Sequence, residues 1–114
     1  MNLNEVKLIG RIAADPVLGE NNHGRLTVSF GLLTERRRSV AVKRHRRNID
    51  RFAVVAYGRL ARVIGEYVRK GDQLYLEGKL QQQGSRERSA VRIVAVNVIM
   101  LGSGPARPER KKAA

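Results

Sequence analysis

Cysteine and tryptophan are both absent from this 114-residue sequence, and its aromatic residues are only two phenylalanines and three tyrosines. Without cysteine the chain can form no disulfide, hold no metal through thiolates and offer no cysteine nucleophile. With so few rings, the core has to be built mainly from Val, Leu, Ile and Ala. No apolar run is long enough to span a bilayer, and the N-terminus carries no signal-peptide pattern. We therefore expect a protein of the cytoplasm or an equivalent reducing compartment, without a membrane partner.

Positive charge is the most pronounced feature of what is present. The sequence carries 23 Lys and Arg residues against 10 Asp and Glu residues, a formal net charge of +13 at pH 7. A chain this basic is attracted to polyanions, of which nucleic acid is the usual one. An acidic lipid surface is the other candidate, but no basic amphipathic helix with a large apolar face accompanies the charge. Much of the charge lies in one block, ERRRSVAVKRHRRNIDR, which runs from Glu35 to Arg51 between two apolar segments.

Apolar residues in short runs predict five strands. In the second run Val28, Phe30 and Leu32 share one face, which is typical of a half-buried strand. Gly10 within the first run predicts a bend or a bulge. Residues 15–24 (DPVLGENNHG) have the composition of a turn. The predicted strands are Leu3–Ala13, Leu26–Leu33, Arg51–Tyr57, Gln73–Leu80 and Ala90–Leu101.

A change of period predicts one helix, within residues 58–71 (GRLARVIGEYVRKG). Its apolar residues recur at spacings of three and four, and Gly71 is expected to end it. Three strands, a helix and two strands are typical of the OB-fold, a five-stranded Greek-key barrel with a helix between strands 3 and 4. We assign residues 1–103 to this domain and expect the basic tail at 104–114 to be disordered. The predicted apolar stripe of the helix consists of Leu60, Val63, Ile64, Tyr67 and Val68.

Four segments resemble a known family. They are NLNEVKLIGRIAADP, GRLTVSFGLLT, VVAYGRLARVIGEYVRKGDQLYLEGKL and IVAVNVIMLGS, and they cover most of residues 2–103. With these segments the sequence resembles the bacterial single-stranded-DNA-binding protein family. The resemblance implies an OB-fold, a homotetramer built from dimers, and sequence-tolerant, non-catalytic binding of single-stranded DNA. It also implies a role in replication, recombination or repair in the bacterial cytoplasm or nucleoid.

The sequence departs from this family where the family stacks bases on aromatic rings. Arg38, Arg51 and Ser85 stand nearest to three of these positions, and only Tyr57 keeps a ring. The basic block spans the connection in which two of the lost rings would lie. We interpret the change as an exchange of a stacking platform for cations that bind phosphates. The family's acidic C-terminal tip, which recruits replication proteins, has no counterpart in the final PERKKAA; it is either absent or part of a longer parent chain, so that recruitment is not carried over.

The predicted single-stranded-DNA site combines the basic block, the barrel face and the last hairpin. Tyr57 is the stacking candidate, and Arg51 shares its strand face. For each cation the alternative is a solvated surface charge, and Tyr57 could instead pack at the barrel rim. Phe52 and Tyr67 are expected in the core. The site residues are Arg36, Arg37, Arg38, Lys43, Arg44, Arg46, Arg47, Arg51, Tyr57, Arg59, Lys70, Arg86 and Arg88.

No catalytic or metal-binding pattern is present in the sequence. His23 and His45 are far apart, the carboxylates are scattered, and no glycine-rich phosphate loop opens the helix. We expect no metal, no cofactor and no enzymatic activity. Two alternatives stay open beside the family function: a dimeric primosomal replication protein of the same fold, and an OB-fold interaction protein that oligomerises and binds nucleic acid nonspecifically. RNA stays open as a second ligand.

Overall fold

The computed structural model describes residues 1–36, 48–84 and 90–103 of the chain. All five predicted strands and the predicted helix are found in these ranges. The predicted tail at 104–114 lies outside the described residues. The elements are β1 Val6–Ile12, β2 Val17–Glu20, β3 Leu26–Glu35, β4 Ile49–Tyr57, α1 Gly58–Tyr67, β5 Gln73–Gln83 and β6 Ala90–Gly102.

The strands close into a barrel. Their order across the sheet is β1-β5-β6-β4-β3-β2, and β1 also pairs with β3, which brings the sheet back onto itself. The neighbouring strands are antiparallel except β4 and β6, which run parallel with Val55 beside Val94. The predicted OB-fold is therefore confirmed. The helix lies between β4 and β5, which are the third and fourth of the predicted strands.

The core is aliphatic, as the composition requires. Val28 and Leu32 of β3 and Leu74 and Leu76 of β5 are fully buried. Burial of a side chain of this kind stabilises the fold by roughly 1.5–3 kcal/mol. Phe52, which the sequence assigns to the core, is partly buried and packs against it. The opposite side chains of β3 and β4 point outward, so the barrel presents a second face that the core does not use.

The helix α1 buries a narrower stripe than the sequence predicts. Ile64 and Val68 are buried, but Val63 is 46% exposed and Tyr67 is 53% exposed. The assignment of Tyr67 to the core is therefore wrong. The helix is only 10 residues long and packs against the barrel with one side, so part of its apolar surface stays uncovered. It ends at Tyr67, and Gly71, with a φ of 88°, belongs to the turn into β5.

The barrel closes at Gly10. β1 pairs with β5 over residues 6–11, and its last two residues also pair with residues 32–33 of β3. A Cβ at Gly10 would lie 2.4 Å from the carbonyl oxygen of Leu33. Only glycine therefore lets the two backbones approach this closely. The sequence signal for a bend at Gly10 corresponds to this crossing, and the β1–β5 register continues through it without a shift.

β2 is a strand that the sequence does not predict. Residues 17–20 pair with residues 26–29 of β3 as an exposed edge strand. The turn chemistry is confined to the next residues, where the Asn21 side chain accepts two backbone hydrogen bonds. Leu18 of β2 lies over Gly65 of α1, where a Cβ would come within 2.7 Å of the leucine side chain. Gly65 costs an isolated helix about 1 kcal/mol relative to Ala, and here it makes room for β2.

Candidate nucleic-acid interface

The side chains that β3, β4 and β6 turn away from the core form one continuous surface, which we call the outward face. It follows from the alternation of the strands: Val28, Phe30 and Leu32 are buried on β3, so their neighbours point outward. The register places the outward residues of the three strands side by side. The outward face consists of Thr27, Ser29, Gly31, Arg51, Ala53, Val55, Tyr57, Arg92 and Val94.

Tyr57 is held on this face by two arginines. The Arg92 guanidinium donates a hydrogen bond to the Tyr57 hydroxyl (2.8 Å) and another, through Nε, to Oε1 of Gln81 (2.9 Å). The Arg25 guanidinium carbon lies 5.4 Å from the centre of the Tyr57 ring. This distance is within the range of a cation–π contact. The predicted stacking residue is thus half-buried, and the orientation of its ring is fixed at the hydroxyl end.

The bond between Tyr57 and Arg92 spans two valines. Val55 and Val94 lie side by side in the parallel pairing of β4 and β6. Tyr57 follows Val55 by two residues, and Arg92 precedes Val94 by two residues, so their side chains reach toward each other over this pair. Val55 and Val94 are only 6% and 9% exposed, although neither belongs to the main core cluster inside the barrel. At this point of the outward face, two buried valines therefore lie under an outer layer that includes the Arg92 guanidinium.

Arg51 lies flat across the outward face further along β4. A Cβ at Gly31 would meet its guanidinium at 2.5 Å, which shows how closely the arginine covers the glycine. Arg51 also borders a surface cavity of about 430 Å³, which is lined largely by small residues and by Asp15. Arg51 and Tyr57 are six residues apart on one strand face, roughly 20 Å at 3.3 Å per residue. A bound single strand would have to run along β4 to contact both.

Arg36 has a partner within the fold. Its guanidinium makes two hydrogen bonds to the Asp50 carboxylate, at 2.6 and 2.8 Å, and its backbone N–H donates to the carbonyl of Asn48 at 2.7 Å. These contacts join the end of β3 to the start of β4. The hydrogen bond from Arg36 lowers the pKa of Asp50 and raises the pKa of Arg36 itself. Arg36 therefore closes the stem of the basic connection, whether or not it also contacts a ligand.

Among the described contacts of Tyr57, neither of the two cations predicted near the helix takes part. Arg59 is exposed on the first turn of α1 and borders a different surface cavity, together with Gly58 and Arg62. Lys70 is exposed beyond the helix, and its backbone N–H donates to the Asp15 carboxylate at 2.8 Å. Because Asp15 also lines the cavity beside Arg51, Lys70 is nearer to that end of β4. Their roles in binding stay predictions.

Most of the predicted cations lie outside the described residues. Within the described ranges are Arg36, Arg51, Tyr57, Arg59 and Lys70. The others, for which binding stays a prediction, are Arg37, Arg38, Lys43, Arg44, Arg46, Arg47, Arg86 and Arg88.

Two arginines that contact Tyr57 are missing from the prediction. Arg25 precedes β3 and Arg92 belongs to β6, and both contact Tyr57. Nothing in their local sequence distinguishes them from other surface arginines. The signal is strand pairing: β6 beside β4 brings Arg92 to Tyr57 from 35 positions away, and β3 beside β4 brings Arg25 to it. A prediction of the strand order would have been needed to find them.

The described ranges contain no group of three or more His, Asp or Glu side chains that could hold a metal ion. The same ranges contain no helix with the length and apolar character needed to cross a bilayer. The chemistry of the outward face is accordingly that of arginines, an aromatic ring and small apolar side chains.

Comparison with known families places this fold. A model of the single-strand binding protein family matches residues 3–101. The chain belongs to this family. The matched region contains every strand, apart from the final residue of β6, and so includes the whole outward face.

Curated relatives agree with the family assignment. Single-stranded DNA-binding protein 1 of Chlorobaculum tepidum is 32% identical over 107 residues, covering 89% of this chain and 66% of that protein. The single-stranded DNA-binding protein of Treponema pallidum is 36% identical over 122 residues, covering 95% of this chain and 65% of that protein. That of Neisseria meningitidis is 34% identical, with 90% and 62% covered. The chain therefore spans slightly less than two thirds of the length of these relatives.

A solved structure supports the fold independently. The SSB of Plasmodium falciparum, determined in complex with ssDNA, superposes with a TM-score of 0.74 at 24% identity. The alignment covers 89% of this chain and 96% of that one. At this level of identity the likeness is evidence for the barrel and its strand order.

Proposed function

We propose that the chain binds single-stranded DNA with little base-sequence preference and without catalysis, in replication, recombination or repair. The strand would run along β4 on the outward face, between Arg51 and Tyr57. The cations of the basic connection and of the last hairpin would bind its phosphates. The names of the curated relatives, all of them single-stranded-DNA-binding proteins of bacteria, support this proposal and a location in the bacterial cytoplasm or nucleoid.

One observation carries the proposal: Tyr57 and Arg51 lie on one strand face of a family barrel, with arginine guanidinium groups laid against that face. An aromatic ring offers a surface on which any base can stack, whereas arginines neutralise phosphates that every sequence shares. Neither interaction reads the hydrogen-bonding edges of bases. This chemistry favours a sequence-tolerant ligand over a specific duplex site.

We also propose that copies of the chain associate through β1, as a homotetramer or a dimer. Within the described residues, no strand pairs with the second edge of β1 between Val6 and Gly10, and such an edge is a template for another strand. An apolar row crosses the same sheet, with Ile9 beside Tyr75 and Tyr75 beside Ile99. Ile9 and Ile99 are 55% and 50% exposed. Light scattering would separate a tetramer from the dimer expected of a primosomal protein.

The experiment for the binding proposal is a salt titration with fluorescent poly-pyrimidine DNA, RNA and duplex DNA of equal length. Six to eight cations on phosphates predict a slope of log K against log salt of about −4 to −6 for the single strand. Changing Arg36, Arg37 and Arg38 together to Ala should flatten the slope. Equal affinity for duplex DNA would instead support the OB-fold interaction protein that binds nucleic acid nonspecifically.

A further inference from the structure

Two guanidinium groups contact the same tyrosine. In the described part of the chain, neither Arg25 nor Arg92 makes an ion pair. Arginine has five N–H donors, and Arg92 uses two of them, on Tyr57 and Gln81. Among the described residues the Arg25 side chain donates no hydrogen bond, and its partner is the ring itself. Both arginines therefore keep donors for a ligand.

This arrangement favours the approach of an anion. Like charges near one ring repel, and among the described residues no carboxylate lies within 4 Å of either guanidinium group. A phosphate would supply the missing negative charge and accept the unused N–H donors in the geometry that arginine prefers. The ring between the two arginines offers a base its stacking surface. Charge, donors and ring together fit one nucleotide of a nucleic-acid strand.

We propose that Arg25, Tyr57 and Arg92 form a single nucleotide subsite for single-stranded DNA. Arg25 widens the stacking surface of the ring and binds a flanking phosphate. Arg92 is a positioning residue, because it fixes the Tyr57 hydroxyl and, through Gln81, ties that ring to β5. The subsite rests on the proposed function and adds two arginines to it.

The role of Arg25 is tested with the charge-removing variant Arg25→Gln, and Arg62→Gln serves as the matched control. Arg62 is an exposed arginine on α1, and it is absent from the hydrogen bonds and ring contacts of Tyr57 among the described residues. Binding of fluorescein-labelled oligo(dT) is measured by anisotropy across a salt series. Loss of one phosphate contact makes the slope shallower by about 0.7. We expect that change for Arg25→Gln and none for Arg62→Gln, whereas equal slopes for the two variants would overturn the assignment of Arg25.

The role of Arg92 is tested with Arg92→Lys, Tyr57→Phe and the double variant. Tyr57→Phe removes the hydroxyl, and Arg92→Lys removes the planar fork that joins the hydroxyl to Gln81. Both single changes keep the net charge and the ring, so the salt slope should stay unchanged. Affinity extrapolated to 1 M salt should fall roughly twofold to tenfold in each, the worth of one hydrogen bond. The double variant should lose no more than either single one, because both remove the same bond. Additive losses would overturn the positioning role, as would Arg92→Lys binding like the unaltered chain.

Binding by the unaltered chain distinguishes failure of the subsite proposal from failure of the proposed single-stranded-DNA-binding function. If it binds oligo(dT) with the steep salt dependence while the variants behave like Arg62→Gln, only the subsite is wrong. If it fails to bind oligo(dT), both proposals fall. Circular dichroism spectra of each variant show whether the barrel is retained. These exposed or half-buried side chains lie outside the core, so we expect all variants to fold.

Discussion

The variant Gly10→Ala, which adds a single methyl group, tests whether the barrel closes by a close approach of β1 and β3. In Gly10→Ala the added Cβ would lie 2.4 Å from the carbonyl oxygen of Leu33 and 3.0 Å from Cγ of Leu32. The oxygen belongs to the backbone of a paired strand, so the clash cannot be relieved by rotating a side chain. β1 and β3 have to move apart at the pairing that closes the sheet.

The magnitude follows from two opposing terms. Overpacking of this kind destabilises a protein by about 1–3 kcal/mol. Replacing glycine also restricts the unfolded chain, which offsets this loss of stability by about 0.4–1 kcal/mol. The φ of Gly10 is not positive, so backbone strain adds nothing. We expect the free energy of unfolding to fall by about 1–2 kcal/mol, which lowers Tm by roughly 5–15 °C for a domain of this size.

Gly19→Ala is the matched control. Gly19 is also a strand glycine, but a Cβ there would lie 3.5 Å from Oγ1 of Thr27, an ordinary contact. Urea unfolding followed by circular dichroism, at one fixed chain concentration, should leave Gly19→Ala within about 0.5 kcal/mol of the unaltered chain. If Gly10→Ala proved as stable as Gly19→Ala, the close approach of β1 and β3 would not be a constraint on the fold.

Three further changes probe the core, the ring and the ion pair. Leu32→Ala should lower the free energy of unfolding by about 2–5 kcal/mol, and a loss below 1 kcal/mol in urea denaturation would contradict its place in the core. Tyr57→Leu should weaken oligo(dT) binding by about 1–3 kcal/mol even at high salt, whereas unchanged anisotropy titrations would reduce Tyr57 to a rim residue. Because Arg36 lowers the pKa of Asp50, the carboxylate stabilises the fold above the unfolded pKa of about 3.9. This contribution declines as the pH falls further, so the stability gap to Asp50→Asn should narrow below about pH 4. A gap that persisted undiminished to pH 2 would argue against the pair.

Local patterns in the sequence predict those strands and helices in which the spacing of apolar residues indicates the buried side. Alternation identifies β3 because Val28, Phe30 and Leu32 all face the core. The stripe at spacings of three and four identifies α1, but it overestimates what the helix buries. Periodicity shows which side is apolar, and the packing partner decides how much of that side is covered, which is why Tyr67 is exposed. β2 escapes prediction because an exposed edge strand needs no apolar alternation.

The candidate site is less predictable than the fold, since it depends on strand order. Tyr57 can be selected from the sequence because, by the family resemblance, it stands at a position where the family stacks a base on a ring. Its partners Arg25 and Arg92 cannot, because Arg25 meets it only through the pairing of β3 with β4, and Arg92 only through the parallel pairing of β6 with β4. In the same way Arg36 reads as one cation of a basic run, whereas the fold pairs it with Asp50, 14 residues away. Such partners are set by register, which local residue types do not encode.

The salt dependence of oligo(dT) binding tests most directly whether cations have taken over from lost rings. With six to eight phosphate contacts, a rise from 50 to 200 mM salt should weaken binding by roughly 300- to 2000-fold. The slope should become shallower when Arg36, Arg37 and Arg38 are changed to Ala. Binding that fell by less than about tenfold over the same range, with the triple variant unchanged, would contradict the phosphate-binding role of the basic block.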